Sequence, residues 1–196
     1  MAKPNPTNTL KGVIIAGGLG TRLNAISTTI PKILTPIDGR PLLDYQLRLL
    51  TQYNITTVYL MLGHLSKPVL DYVQDGRQWG LTIHTCIEEK PLGTAGCLHG
   101  LKPQATDDLL VIYGDIMVNM DLEKLHQFHI TSKADITLVV HPNDHPYDSD
   151  LVEVNDQHRI HKIRPKPHSK DLIYQNLVNA GVYLLSPKIR HEIPTD

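Results

Sequence analysis

Between Val13 and Val140 the sequence repeats one unit, a short apolar run followed by a longer stretch with apolar residues at helical spacing. Val13-Ile14-Ile15-Ala16 is apolar, mostly β-branched and closed by glycines, the pattern of a strand buried on both faces. Residues 56–62, 81–87, 109–113 and 136–140 repeat it. Between them, residues 41–53 carry Leu42, Leu43, Leu47, Leu49 and Leu50 behind Pro41, which suits a first helical position. Residues 66–74 set Val69, Leu70 and Val73 on one face with Ser66 as cap. Residues 121–130 set Leu122, Leu125, Phe128 and His129 behind Asp121. This alternation predicts an α/β fold, a Rossmann-like and mainly parallel sheet with helices on both faces. Past His141 the helical spacing stops. Residues 151–154, 159–163 and 177–185 read as strands, the first two joined by the turn-forming Asn155-Asp156-Gln157-His158. An α/β half over about residues 10–140 is therefore expected to precede a β-rich part over about 141–196.

The first strand runs directly into Gly17-Gly18-Leu19-Gly20-Thr21-Arg22. Glycines after a buried strand let backbone N–H groups approach an anion with no Cβ in the way, and a following helix start favours negative charge. Phosphate binding is the natural inference. A P-loop needs Lys-Ser or Lys-Thr behind its glycines, and none follows here. A dinucleotide fingerprint needs a third glycine where Leu23 stands, and an acidic residue after a second strand, where the chain reads Pro31-Lys32-Ile33-Leu34-Thr35-Pro36. What remains is a loop with an arginine directly behind it and a Pro-Lys pair a little further on.

Composition narrows the partners. Lys+Arg is 19 against Asp+Glu 20, a net charge of −1, without the cationic excess that coating a nucleic acid requires. The apolar runs fall far short of the ~20 residues of a membrane span, and Met1 to Thr7 has no apolar leader, so the cytoplasm is the expected location. Cys86 and Cys97 do not make a disulfide framework. The 11 histidines lack a cysteine cluster or a His-Glu-x-x-His helix and read as scattered surface residues.

Gly17-Gly18-Leu19-Gly20-Thr21-Arg22-Leu23, followed by Pro31-Lys32 and Pro36, resembles the signature of the sugar-1-phosphate nucleotidyltransferases. Glu89-Lys90-Pro91-Leu92-Gly93-Thr94-Ala95-Gly96 resembles their second nucleotide segment, Tyr113-Gly114-Asp115 their metal-binding Gly-Asp, and Asn179-Ala180-Gly181-Val182-Tyr183 a sugar-side strand. The resemblance implies the nucleotide-diphospho-sugar transferase fold with a β-rich sugar-binding insertion, and transfer of a nucleotidyl group to a sugar 1-phosphate with release of pyrophosphate. It implies nucleotide contacts from Ala16, Gly17, Gly18, Gly20, Thr21, Arg22, Glu89, Gly93 and Thr94. Arg22 and Lys32 become the catalytic cations and Asp115 the ligand of Mg²⁺. Glu88 and Glu89 favour GTP, because a carboxylate can accept two donors from guanine and one from uracil or thymine.

On the sugar side the resemblance implies Lys166, Asn179 and Asp150. The family's usual Glu-Lys-Pro reads Pro165-Lys166-Pro167 here, so Asp150 is the candidate to replace the lost hydroxyl acceptor. The stretch from His145 to Glu153, with Lys166-Pro167-His168 and Asn176 to Ala180, is similar to heptose- and mannose-type guanylyltransferase domains, some fused to a haloacid-dehalogenase-type phosphatase. That implies a GDP-sugar for cell-surface polysaccharide, a possible phosphatase fusion and a possible homo-oligomer. The family's second metal-binding Asp lies on a later strand than any here, so the domain is expected to be C-terminally incomplete at Asp196. A non-catalytic nucleotide-sugar-binding module of the same fold stays open as the alternative.

Overall fold

The computed structural model describes residues 10–17, 30–63, 65–88, 93–101, 107–169 and 173–192. These divide into two units, Leu138–Val182 and the rest of the chain.

The larger unit opens with β1 (Leu10–Ala16). A small hairpin follows, β2 (Pro36–Ile37) and β3 (Arg40–Pro41), turning through Asp38 and Gly39 at φ of 47° and 76°. Then come α1 (Leu42–Gln52), β4 (Thr57–Leu62), α2 (Ser66–Val73), β5 (Thr82–Ile87), the short α3 (Gly93–Gly96), β6 (Asp108–Tyr113) and α4 (Leu122–Ser132). The order β5-β4-β1-β6 is parallel throughout: Val13 lies opposite Tyr59 on one side and Val111 on the other, and Leu62 lies opposite Ile87. Central strands so enclosed are continuously apolar, and Val13, Ile14, Leu60, Leu109 and Ile112 are all fully buried. Leu43, Leu47 and Leu50 supply the buried stripe of α1.

Three local expectations shift. Pro41 ends β3 with an extended ψ of 143°, and α1 begins one residue later. Ser66 is the first helical residue of α2 rather than its cap, and no side chain caps that end. Phe128 is 42% exposed, because six positions on from Leu122, at about 100° each, it lies a third of a turn off the stripe. Leu122 and His129 fill that stripe instead. Asp121 does cap α4, accepting the Lys124 N–H at 3.0 Å.

The smaller unit takes in most of β7 (Ile136–His141), then β8 (Leu151–Val154), β9 (Ile160–Arg164) and most of β10 (Val178–Leu185). β8 pairs antiparallel with both β9 and β10. The β8–β9 turn is held by Asn155, whose Oδ1 accepts the N–H groups of Gln157 and Arg159 at 3.0 and 2.9 Å. Across that hairpin Arg164 pairs with Glu153 and lies 5.2 Å from the centre of the Tyr174 ring, which ties the following segment to the strands.

Candidate functional site

Parallel pairing brings the carboxyl ends of β1, β4, β5 and β6 to one edge of the sheet, the edge where open α/β sheets take ligands. The edge is built by close backbone approach. A Cβ on Gly63, just past β4, would stand 3.0 Å from the Gly17 Cα and 3.1 Å from its carbonyl carbon, and nearer still to the carbonyl oxygen. A Cβ on Gly17 would meet the Glu88 carboxylate at 3.4 Å. Glu88, the residue after β5, is fixed there by its own N–H on the Leu62 carbonyl at 2.8 Å. The Glu88 carboxylate therefore flanks the start of the glycine loop.

Gly114 is the second close contact. Its N–H donates to the Ile15 carbonyl at 2.8 Å, extending the β1–β6 pairing beyond the strand. A Cβ there would meet that oxygen and the Ile33 side chain at 3.0 Å, and Ala16 Cβ at 3.1 Å. Ile33, 2% exposed, anchors the one-turn 3₁₀ segment Lys32–Leu34, whose ends are closed by Leu34 N–H to Pro31 at 2.8 Å and Thr35 N–H to Lys32 at 2.9 Å. One glycine thus joins the end of β1, the turn that carries Lys32 and the turn that carries Asp115.

Asp115 follows β6 with its side chain exposed. Its turn is clasped from α1: Gln46 Nε2 donates to the Tyr113 carbonyl at 2.9 Å and to the Ile116 carbonyl at 2.8 Å. Among the described residues no group of three or more His, Cys, Asp or Glu is placed to hold a metal ion. A lone exposed carboxylate at a strand end still fits Mg²⁺, which keeps several waters and binds through one or two carboxylates plus substrate phosphates.

Ala16, Gly17, Lys32 and Asp115 thus meet at one edge. Gly93 and Thr94 begin α3, ahead of the buried Cys97 and Leu98. Gly18, Gly20, Thr21, Arg22 and Glu89 lie outside the described residues. In the smaller unit, Asp150 Oδ1 accepts the Lys166 backbone N–H at 3.0 Å, leaving its other oxygen for a second donor. Asn179 Oδ1 accepts the Gly181 N–H at 2.8 Å and shapes the strand there. The Lys166 side chain is exposed.

Other chemistries find little support. Burial and the nearby Glu88 charge push the Cys97 thiol up to about 11, and burial also raises Cys86, so neither is a ready thiolate. A recess of about 200 Å³ lies among Ile15, Leu98, Val111, Tyr183 and Leu185, with no charged side chain of the described residues on its wall. Gln46 and Gly63 were not singled out by motif. Gln46 had a signal, an amide within the otherwise apolar stripe of α1, whereas Gly63 had none.

A model of the nucleotidyl transferase family matches residues 11–195. The chain is 36% identical over 188 residues to a protein of Sulfolobus acidocaldarius that carries the name mannose-1-phosphate guanyltransferase, covering 94% of this chain and 50% of that one. It is 31% identical to the D-glycero-alpha-D-manno-heptose 1-phosphate guanylyltransferase of Aneurinibacillus thermoaerophilus, covering 92% and 76%. A crystal structure from Bacillus anthracis, described as a glucose-1-phosphate thymidylyltransferase, shares the fold with a TM-score of 0.80 at 23% identity, over 93% of this chain and 74% of that one. The chain thus spans half the length of the Sulfolobus relative. Among the described residues no helix is long and apolar enough to cross a membrane.

Proposed function

The chain belongs to the nucleotidyl transferase family, and on that premise we propose that it transfers a nucleoside monophosphate from a nucleoside triphosphate to a sugar 1-phosphate. The observation that carries this is the Gly114 junction, which sets the start of the glycine loop, the Lys32 turn and Asp115 side by side. A sugar-phosphate oxygen attacks the α-phosphorus, the bond from that phosphorus to the bridging oxygen breaks in line, and pyrophosphate leaves. The nucleophile is already an anion, so no strong general base is needed. The obstacle is charge, and fixed cations are the remedy. Arg22 holds the β- and γ-phosphates with its donor fork, and Lys32 holds the α-phosphate and the incoming sugar phosphate. Asp115 would hold Mg²⁺, which would supply electrostatic stabilisation of the charge on the reacting phosphates.

GTP is the favoured donor. The Glu88 carboxylate flanks Gly17 and can accept both the ring N–H and the amino group of guanine. The names of the Sulfolobus and Aneurinibacillus relatives agree with guanine and with a mannose- or heptose-type 1-phosphate. From the family resemblance, Asp150 is assigned to a sugar hydroxyl and Lys166 and Asn179 to the sugar phosphate, and the GDP-sugar is assigned to polysaccharide synthesis. The test is pyrophosphate release with Mg²⁺ across four nucleoside triphosphates crossed with mannose, glucose and heptose 1-phosphates. Release that needs both substrates, and is fastest with GTP and a manno-configured sugar, is expected. Tight GTP binding with no release in any combination would make the chain a binding module instead.

A further inference from the structure

Gln46 is 1% exposed, and both hydrogens of its amide are spent on one short turn, at the Tyr113 and Ile116 carbonyls. These are the first and last residues of Tyr113-Gly114-Asp115-Ile116, a turn otherwise closed by a long Ile116 N–H to Tyr113 contact of 3.4 Å. Among the described residues the amide oxygen, Oε1, is buried without a hydrogen-bond partner. A buried oxygen in that state is costly, so the side chain keeps its place for what its nitrogen does. Two carbonyls facing one group demand two N–H donors on one atom. Among side chains of this length only an amide meets that need while uncharged: a methionine has no donor, and an ionised glutamate would repel both oxygens. The exposed Asp115 carboxylate takes its aim from this turn.

We propose that Gln46 is a positioning residue for the metal carboxylate, locking the turn that aims Asp115 at the ion shared with the triphosphate. This rests on the reading of Asp115 as the metal ligand. Partners of this outer kind usually alter metal affinity by on the order of tenfold or more when removed. The test uses Mn²⁺ as probe, titrated into the GTP-bound protein and followed by electron paramagnetic resonance, for wild type, Gln46→Met and Asp115→Asn. Gln46→Met is expected to weaken Mn²⁺ about tenfold, to raise the Mg²⁺ needed for half-maximal turnover in step, and to leave the KM for GTP at saturating Mg²⁺ within about twofold. A loss of fold alone would not separate those quantities. If Asp115→Asn binds Mn²⁺ as wild type does, the metal reading itself fails. If Asp115→Asn weakens Mn²⁺ while folded Gln46→Met does not, the clasp alone is overturned. Should Gln46→Met not fold, the wild-type protein decides: the Gln46 side-chain amide resonance must shift along the Mg²⁺ saturation curve of the GTP complex, and an unmoved resonance refutes the proposal.

Discussion

Replacing Gly63 by alanine puts the backbone geometry of the ligand edge to a direct test. The added Cβ would stand 3.0 and 3.1 Å from two backbone carbons of Gly17 and closer to its carbonyl oxygen. Ordinary contact begins near 3.4 Å, so the Gly17 backbone must retreat by several tenths of an ångström at its carbons and by about twice that or more at the carbonyl oxygen, and no side-chain rotation can absorb the shift. Overpacking of this kind costs about 1–3 kcal/mol, and here the displaced atoms begin the loop assigned to the nucleotide. Gly39→Ala is the matched control. Among the described residues nothing lies within 4 Å of its Cβ, but its φ of +76° is left-handed, which costs an L-residue about 1–2 kcal/mol. Both variants should melt lower than wild type. Only Gly63→Ala should also lose GTP affinity by calorimetry, on the order of tenfold when about 1.4 kcal/mol of that overpacking falls on the nucleotide loop. If Gly63→Ala binds GTP like wild type, the assignment of this edge to the nucleotide is wrong, however large the fall in melting temperature.

Further outcomes follow from other side chains. Glu88→Gln should narrow the preference for GTP over UTP in steady-state kinetics by about 10-fold or more, since hydrogen bonds to a charged acceptor are worth about 1.5–3 kcal/mol; an unchanged ratio would remove Glu88 from base reading. His129 is held neutral chiefly by burial, its pKa below the usual 6.5 despite the Asp108 charge, with Nδ1 2.7 Å from the Thr137 hydroxyl. The unfolded chain binds that proton first, so this contribution to stability is complete above pH 6.5 and fades as the pH falls toward the folded value. Melting temperature should therefore drop between about pH 7.5 and 5.5, and His129→Leu should flatten that slope. With its thiol pushed up to about 11, Cys97 should resist iodoacetamide at neutral pH in the folded protein and react once it is denatured, as mass spectrometry would read.

Hydrophobic period made the architecture legible before any coordinates. Strands such as Val13 to Ala16, apolar throughout, suit a parallel sheet covered on both faces, and their alternation with the amphipathic stripes of α1 and α4, which supply cover, pointed to that arrangement. The misplaced details have local causes. Ser66 has a side chain suited to capping, but the chain enters α2 through Leu65, so no cap forms. Phe128 looked like core by hydropathy and lies off the stripe by angle. At the site, the resemblance of the glycine loop with Pro31-Lys32, and of Tyr113-Gly114-Asp115, to the family's motifs made Lys32 and Asp115 visible as candidates. A lysine in a loop or a carboxylate behind a strand is by itself usually just solvated or capping. Gly63 was not visible, since its role depends on an approach to Gly17 across two strands that only register reveals. Gln46 was half visible: an amide among leucines flags itself, but its partners sit 67 and 70 residues away.

The most direct test of the account follows the α-phosphorus of GTP. With α-labelled GTP, Mg²⁺ and mannose or heptose 1-phosphate, label should pass into a GDP-sugar in step with pyrophosphate release. Lys32→Met should slow that transfer by on the order of a hundredfold or more, as loss of an electrostatic group at the reacting phosphorus does, while GTP affinity changes little. Label left wholly in GTP by a folded, GTP-binding protein, or transfer undiminished in Lys32→Met, would contradict it.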